Sequence, residues 1–495
     1  MATGETDTRA QAITRAAQDA DERTRAFIDA LAADAVKANA QAAFVMQGDQ
    51  ATDPVTGAAV PLPADAEDVI NSNYLRGVLE AAQAALSLQS PDAAQRLQAA
   101  TALMREPDAE RLPLIERALA AETDPAVRQR LSLARASIQL GSDDAAQRLQ
   151  AAQTLGAAGD PDLQAALRAQ LAQEPDLAVQ AALKSAVARI DDSLAWGERL
   201  GVLFTGLSLG SILLLAALGL AITYGLMGVI NMAHGELIMI GAYATYVVQG
   251  LFQRHLPESA FGWYLAAAVP VAFAASAAVG ALLERGVIRH LYGRPLETLL
   301  ATWGISLILM QAVRSLFGAQ NVGVENPGWM SGGWQVLPNL TLPYNRLAII
   351  VFAALVLAGV AWLIGRTRLG LFVRAVTQNR PMAACTGVNT ARVDTQAFAL
   401  GSGLAGLAGC ALSQVGNVGP DLGQAYIVDS FMVVVLGGVG QLAGTVVAAL
   451  GLGMAAKLLE GWTGAVLAKI AVLVFIIVFI QKRPQGIFAL KGRQA

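Results

Sequence analysis

The pattern of apolar and polar positions changes character once along the chain. Over residues 1–195, Ala, Gln, Asp, Glu and Arg predominate, and apolar residues such as Ile13, Phe27 and Leu31 recur at helical spacing. Over residues 196–495 the chain is apolar and rich in glycine, with stretches of the length that a membrane-spanning helix needs. The pattern predicts an all-α protein in which a soluble helical domain precedes a polytopic membrane domain.

The first domain carries an internal repeat. The sequence SPDAAQRLQAA at residues 90–100 returns as SDDAAQRLQAA at residues 142–152, an offset of 52 residues. Self-similarity at such a period is typical of helical solenoids, and we predict a HEAT-like repeat that serves either as a protein-binding surface or as a passive spacer. Upstream, residues 8–46 are predicted to form one or two helices, and the prolines of residues 53–68 predict a loop.

The second domain contains eight apolar stretches. Because one or two of them are interrupted by glycine, we predict eight to ten spans, with broken helices among them. The stretches are residues 202–222, 237–252, 263–283, 299–317, 347–364, 396–412, 431–455 and 466–480. The seventh contains the sequence LGGVGQLAGT, which predicts a bend or a break within it.

A polar interruption follows the first of these stretches. Asn231, His234 and Glu236 fall within six residues, beside Gly228 and Gly235. Polar side chains at membrane depth are costly and commonly mark a solute or ion path, and broken helices are tolerated there where they line a cavity. Asn231 is predicted to cap the next helix, with Glu236 in its first turn. The alternative is an ordinary turn between two spans, outside the membrane.

A second polar interruption lies between residues 412 and 431, and its alternative is an exposed loop. The predicted solute pathway draws on both interruptions and comprises Thr223, Tyr224, Asn231, His234, Glu236, Asn417, Asp421 and Gln424.

Clusters of arginine and lysine predict the orientation in the membrane. Residues 285–294, residues 366–392 and the stretch after residue 480 are basic, so all three are expected on the cytoplasmic side. If the second and third basic stretches lie on the same side, the number of spans between them must be even. Only three apolar stretches separate them, so one more crossing is required, and a split at Gly437-Gly438 supplies it. The first domain then lies in the periplasm, although the first ten residues contain no apolar leader, which favours the opposite placement.

The sequence YGLMGVINMAHGELIMIGAYA, around the first interruption, resembles the signature of the permeases of branched-chain amino acid ABC importers. The resemblance covers roughly residues 200–490. It implies a bacterial inner-membrane subunit that works with a second permease subunit as a heterodimer, two cytoplasmic ATPase subunits and a periplasmic solute-binding protein. Within that group, the long N-terminal extension resembles the permease subunits of urea importers.

The basic segment 366–394 resembles the coupling segment of importer permeases, on which a cytoplasmic ATPase acts. The matching residues are Arg368, Gly370, Arg374, Ala375, Ala383 and Gly387. The arginines alone are equally consistent with a plain cytoplasmic loop, since such loops are generally basic.

Composition excludes several other functions. The net charge of −3 comes without a basic stripe, so no nucleic-acid partner is expected, whereas 55% hydrophobic residues predict contact with lipid. Two cysteines and three scattered histidines predict no metal site, and no catalytic constellation, cofactor motif or phosphate loop is present. Three alternatives to a urea permease remain: a permease for branched-chain amino acids or short amides, an autonomous channel or secondary carrier, and a mainly structural protein.

Overall fold

The chain divides into two compact units, residues Met1–Ala195 and Trp196–Ala495. The computed structural model describes residues 1–17, 21–39, 42–48, 50–105 and 107–488. The last two residues of the stretch that carries the family resemblance therefore lie outside the described residues.

The first unit begins with a small mixed α/β arrangement. Two helices, α1 (Thr6–Ala16) and α2 (Glu22–Ala32), precede a five-stranded antiparallel sheet with the order β4-β3-β2-β1-β5, and α3 (Asn73–Leu88) follows it. The strands are β1 Val36–Ala38, β2 Ala43–Gln47, β3 Gln50–Thr52, β4 Ala59–Val60 and β5 Glu67–Asp68. Ile13, Ile28, Leu31, Leu75 and Leu79 form the buried core of this part.

Two predictions for this part are therefore corrected. Helix does not continue to residue 46, and the stretch 53–68 is not wholly a loop, so the protein is not purely α-helical. The helical spacing of Ile13, Phe27 and Leu31 correctly indicated helices, but the alternation that marks a strand is short and weak after residue 35. Tertiary pairing, which single-sequence patterns do not contain, decides the sheet.

The repeat in sequence corresponds to a repeat of helices. The remaining helices of this unit are α4 Ala93–Arg105, α5 Leu112–Ala121, α6 Pro125–Gln139, α7 Ala145–Ala158, α8 Gln164–Gln173 and the first part of α9 Leu177–Met227. The helices α7, α8 and α9 begin 52 residues after α4, α5 and α6, respectively. Asp124 caps α6 by accepting hydrogen bonds from the Ala126 and Val127 amides.

A buried ion pair recurs with the same offset. Arg96 Nε lies 2.8 Å from Glu122 Oε2, and Arg148 Nη2 lies 2.8 Å from Glu174 Oε1. Each arginine also donates to two backbone carbonyls at the start of its own helix. The hydrogen bond from the arginine lowers the pKa of Glu122 and of Glu174 to about 2.

The second unit is built from long apolar helices. Among the described residues, eight helices are long and apolar enough to cross a membrane, which confirms a polytopic membrane domain, and α18 is a shorter apolar helix. The helices after α9 are α10 His234–His255, α11 Glu258–Phe261, α12 Tyr264–Gly286, α13 Pro295–Phe317, α14 Tyr344–Arg366, α15 Arg368–Gln378, α16 Arg380–Cys385, α17 Thr390–Ser413, α18 Leu422–Gly437, α19 Leu442–Thr463 and α20 Ala465–Lys482. A hairpin of β6 (Gly333–Leu337) and β7 (Leu340–Pro343) precedes α14.

The seventh predicted span is two helices. α18 ends at Gly437 and α19 begins at Leu442, which confirms the split expected at Gly437-Gly438. The two helices cross closely there, because a Cβ on Gly437 would lie 2.5 Å from the carbonyl carbon of Gly444. Nine apolar helices result, within the predicted range of eight to ten spans.

Contacts between loops define one side of the second unit, which we call the basic side. The Tyr292 hydroxyl, after α12, lies 3.1 Å from Met227 Sδ at the end of α9, and Arg289 Nη2 donates to Thr395 Oγ1 at 3.1 Å in the first turns of α17. The Ile487 amide, after α20, donates to the Leu436 carbonyl at the end of α18. This side holds Arg285, Arg289, Arg294, Arg366, Arg368, Arg374, Arg380, Arg392, Lys482 and Arg483.

The opposite ends of the helices form the hairpin side. The Tyr264 hydroxyl donates to the Glu325 carbonyl at 2.6 Å, and Asn345 Nδ2 donates to the Gln414 carbonyl at 3.1 Å. The connecting segments on this side, residues 256–263, 318–343 and 414–421, contain no Lys or Arg. Arginines on this side, such as Arg254 and Arg314, lie in the last turns of helices, so the connecting segments of the basic side carry the larger share of positive charge, as in proteins that cross a membrane with a fixed orientation.

The repeated ion pair generates a prediction for the first unit. The folded state lowers the pKa of Glu174 to about 2, whereas the unfolded value is near 4.3. The ion pair of Glu174 therefore stabilises the fold fully above about pH 4.3, and this stabilisation is lost as pH falls through 2. Glu174→Gln should therefore speed amide exchange in α7 and α8 on the order of tenfold at pH 7, and should flatten the acid dependence of that exchange.

Exchange is measured on the full chain by incubation at pH 7, 4.5 or 2.5 followed by a deuterium pulse at one fixed pH. Asp162→Asn is the matched control, since its pair with Arg105 is exposed and worth little. Equal exchange in the Glu174→Gln and Asp162→Asn variants would contradict the assigned role.

Candidate functional site

The interruption predicted after the first span is a real break in the helix. α9 ends at Met227 and α10 begins at His234, and Gly228 between them has a φ of +64°, a left-handed conformation that favours glycine. Asn231 is 1% exposed, His234 0% and Glu236 1%, so all three side chains are buried. This burial excludes the alternative of an exposed turn.

The start of α10 lies beside the apolar part of α9, about three turns before that helix ends. His234 Nε2 lies 3.0 Å from the carbonyl oxygen of Ala216. Ala216 precedes the end of α9 at Met227 by eleven residues, which is about 16 Å of helix. The chain therefore returns into the apolar layer without helical structure before α10 begins, and the first amides of α10 lie far from either surface.

A second helix begins at the same place. The carbonyl of Gly423, in the first turn of α18, faces Gly235, in the first turn of α10: a Cβ on Gly235 would lie 2.6 Å from it. The two helices run in opposite directions from this point, since α10 passes Gln249, which accepts from the Glu325 amide on the hairpin side, and α18 ends on the basic side. Two helix N-termini, each with partial positive charge, thus meet in the apolar layer.

Polar groups on α13 line the break from the other side. Ser306 donates to Glu236 Oε1, and the Met232 amide donates to Thr302 Oγ1 at 3.2 Å. Thr298, Thr302 and Ser306 recur every four residues and are all buried, so they form one polar stripe on an otherwise apolar helix. Sequence reasoning missed these residues, although their spacing of four was the signal that identifies them.

Several polar atoms at the break have no hydrogen-bond partner among the described residues. These atoms are Asn231 Nδ2, His234 Nδ1, Glu236 Oε2 and, further along α10, the Tyr243 hydroxyl. Buried polar atoms in proteins nearly always have a partner, so these atoms are open to a water molecule or a solute. Donors and acceptors are both present, which suits a solute that carries both.

The other predicted pathway residues are placed differently. Thr223 is buried but donates to the Gly219 and Leu220 carbonyls of its own helix, and its methyl group packs toward Gly401 on α17. Tyr224 is half-buried and its ring centroid lies 6.2 Å from that of Phe431. Thr223 therefore serves helix packing rather than lining the break.

At the second interruption, α18 begins at Leu422, so Gln424 lies within a helix and not in a loop. Asn417, Asp421 and Gln424 are exposed on the surface of the unit, and Gln424 Nε2 lies 3.8 Å from Met310 Sδ on α13. The prediction that Asn231 is the N-cap is also corrected. Ala233 holds that position, and Asn231 Oδ1 accepts from the Ala233 amide at 3.0 Å, while Glu236 does lie in the first turn.

The segment predicted to couple to a motor consists of α15 and α16 on the basic side. Arg368, Arg374 and Gly387 are exposed, Ala375 is half-buried, and Gly370 and Ala383 are buried. A Cβ on Gly370 would lie 2.0 Å from the Ile364 carbonyl, so α15 packs directly on the end of α14. The outer face of the segment presents Leu371, 57% exposed, and Met382, 61% exposed, beside the arginines.

Long apolar helices, a charge difference between two sides and a buried polar break together define a polytopic membrane transport protein. The comparisons identify the family. Residues 202–481 match the model of the branched-chain amino acid transport system permease component, which covers more than half of the chain. The chain belongs to this family, whose members act as non-enzymatic permease subunits beside ATPase and solute-binding partners.

Individual relatives cover the second unit. The high-affinity branched-chain amino acid permease protein LivH of Escherichia coli K12 is 30% identical over 292 residues, 58% of this chain and 94% of the relative. LivH of Salmonella typhimurium is 30% identical over 293 residues, again 58% and 94%. BraD of Pseudomonas aeruginosa is 31% identical over 293 residues with the same coverage. No solved structure matches the chain.

The close approach of α10 and α18 generates a prediction. Gly235→Ala places a methyl group against the Gly423 carbonyl, so the purified chain should lose roughly 1–3 kcal/mol of stability, as overpacked sites do. Gly250→Ala on the same helix is the control, because its Cβ meets nothing within 4 Å and alanine favours helix. Thermal unfolding in detergent, followed by tryptophan fluorescence, measures both. A Gly235→Ala variant as stable as Gly250→Ala would contradict the tight crossing.

Proposed function

We propose that this chain is the permease subunit of an ABC importer for a small polar solute, and that the solute passes beside the N-termini of α10 and α18, along the polar stripe of α13. The observation that carries this is the set of unpaired buried atoms on Asn231, His234 and Glu236 where two helices begin in the apolar layer. Broken helices whose ends face a midplane site are the arrangement by which many transporters bind their solute.

Urea is the first candidate solute. It is small and neutral, and its two amino groups and its carbonyl match the carboxylate, amide and imidazole groups at the break. The resemblance of the N-terminal extension to urea importers supports the same candidate, and the matched region of the family begins only at residue 202.

Branched-chain amino acids are the second candidate, and the names of the relatives favour them. The groups at the break also match the two charges of a zwitterion. Two helix N-termini attract a carboxylate, and Glu236 Oε2 offers an acceptor to an ammonium group.

The segment of α15 and α16 is proposed to dock on a cytoplasmic ATPase. Its support is an exposed face that combines Arg368 and Arg374 with Leu371 and Met382, since interfaces often join an apolar centre to a charged rim. A second permease subunit is proposed to complete the membrane part as a heterodimer.

The first unit is proposed to lie on the periplasmic side, where the helical repeat of residues 90–195 forms a HEAT-like solenoid that binds a protein partner or acts as a spacer. The helical repeat with its recurring ion pair supports the solenoid. The sidedness rests on charge: the basic side is taken as cytoplasmic, and Gly201 near the start of the second unit lies beside Leu340 of the hairpin side.

Uptake of labelled urea and labelled leucine tests the function. A deletion strain is complemented with this gene and its neighbours, and the solute whose uptake returns is the substrate. Restored uptake of neither would contradict the proposal.

Glu236→Gln should reduce that uptake about tenfold, because it replaces one oxygen acceptor of the buried carboxyl group with an amide donor while keeping its shape. Glu258→Gln, an exposed glutamate on the hairpin side, is the matched control and should transport normally. If the two variants, present in equal amounts in the membrane, transported solute equally well, the break would not be the solute path.

Arg374→Glu tests the docking face. The exposed side chain makes the change tolerable for the fold, but it reverses a charge at the proposed interface, so solute-stimulated ATP hydrolysis should fall severalfold. Arg285→Glu, an exposed arginine on the basic side but outside residues 366–394, is the control. Unchanged ATP turnover in the Arg374→Glu complex would remove this segment from the docking site.

A further inference from the structure

Two fully buried carboxylates lie on the basic side, away from the break. Glu284 is in the last turn of α12 and Asp394 is in the first turns of α17, and both side chains are 0% exposed. A carboxylate taken out of water is costly unless it is paired and hydrogen-bonded, so the partners of these two decide what they do.

Glu284 joins three parts of the unit. Its Oε2 accepts from Thr395 Oγ1 at 2.6 Å, its Oε1 accepts from the Tyr292 hydroxyl at 3.0 Å, and Arg289 Nη2 lies 3.3 Å from Oε2. The end of α12, the connection to α13 and the start of α17 are thus tied to one carboxylate.

Asp394 joins the same network to the segment of α15 and α16. It is paired with Arg380, the first residue of α16, which binds it through both terminal guanidinium nitrogens. The Arg380 guanidinium also lies over the Tyr292 ring, 5.1 Å from its centroid. The two carboxylates therefore share one polar network that begins in the segment facing the basic side.

The two helices that carry these carboxylates, α12 and α17, both pack against α10 near the break. On α17, Gly409 packs against the carbonyl of Ile238, where a Cβ would come within 1.9 Å. On α12, Ser276 Oγ donates to the carbonyl of Leu237 at 2.9 Å. Leu237 and Ile238 directly follow Glu236, so a shift of either helix acts on the first turns of α10.

We propose that Arg380, Asp394 and Glu284 are positioning residues that carry the displacement of α15 and α16 to α12 and α17, and through them to the break. This inference rests on the proposed function of α15 and α16 as the ATPase-docking segment. A buried ion pair is weak evidence for stability, since an apolar replacement often serves equally well, but it fixes one geometry between the elements it joins. Coupling must be measured directly, because spatial continuity alone does not establish it.

The test uses the complete importer, purified through a tag on this chain and reconstituted in proteoliposomes. Solute taken up per ATP hydrolysed is measured with labelled urea and labelled leucine. Asp394→Asn keeps the shape and removes the charge, and uptake per ATP should fall about tenfold while ATP hydrolysis continues. Glu297→Gln is the matched control, since its pair with Arg294 lies in the same region but is exposed, and it should keep the native ratio.

A gentler variant guards against a failure to fold. Tyr292→Phe keeps the ring under Arg380 and removes only the hydroxyl that donates to Glu284, so it should lower the same ratio severalfold. Arg380→Lys keeps the charge without the forked geometry and should lose less coupling than Arg380→Gln. Native ratios in both Asp394→Asn and Tyr292→Phe would overturn the inference.

A spectroscopic readout separates this inference from the proposed function. Cys385 is exposed at the end of α16 and Cys410 is buried, so a thiol-reactive spin label attaches to the segment itself. Asp394→Asn should raise the mobility of that label and Glu297→Gln should not. An importer without uptake of either solute would refute the proposed function alone, and unchanged label mobility in Asp394→Asn would refute the positioning role whatever the solute.

Discussion

A helix that begins inside an apolar layer leaves its first amide groups without water, and this constraint organises the second unit. α10 begins beside the apolar part of α9, about three turns before α9 ends, and α18 begins against α10 from the opposite direction. The two ends approach each other so closely because Gly235 and Gly423 carry no side chains. Polar residues that would be costly elsewhere in a membrane are useful here, since Thr302 and Ser306 supply partners to the broken backbone and to Glu236.

The same constraint explains why the packing around the break is rigid and rich in small residues. α12 and α17 hold α10 on two sides through glycine contacts and one serine hydrogen bond. Small residues permit this approach, which is how membrane helices associate when burial of apolar surface gives no advantage over lipid. At the basic ends of α12 and α17, the contacts are polar instead, because they are made by the buried carboxylates Glu284 and Asp394. Each helix is therefore held by polar contacts at its basic end and by apolar contacts in its middle.

Much of the second unit could be predicted from the sequence, because spans, breaks and charge clusters depend on the composition of short, continuous stretches. The break at Asn231–Glu236 and the split after Gly437 are examples. Where the predicted path side chains lie relative to the break was harder to predict. Thr223 satisfies its hydroxyl within its own helix, and Asn417, Asp421 and Gln424 are exposed, since orientation around a helix depends on neighbours that a single stretch does not reveal.

The first unit shows the same limit. Its 52-residue period predicted the helical repeat, and the recurring pairs Arg96–Glu122 and Arg148–Glu174 follow that period, but the sheet between α2 and α3 depends on pairing between short strands. Nor did the sequence indicate that Glu284 and Asp394 share a network, because their partners come from three separate parts of the chain: the connection after α12, α16 and the start of α17. Local patterns predict elements, whereas the polar contacts that join elements emerge only from the fold.

The account depends on a water-accessible gap at the break, and thiol accessibility measures it most directly. In a Cys385→Ser background, Ser306→Cys places a thiol on the polar stripe of α13, and Leu307→Cys places one beside it on the exposed apolar surface. A charged, membrane-impermeant methanethiosulfonate reagent is predicted to modify the Ser306→Cys variant, more slowly with solute present, and to leave Leu307→Cys unmodified in lipid. Modification of Leu307→Cys with an inert Ser306→Cys would contradict a solute path along α13 beside the N-termini of α10 and α18.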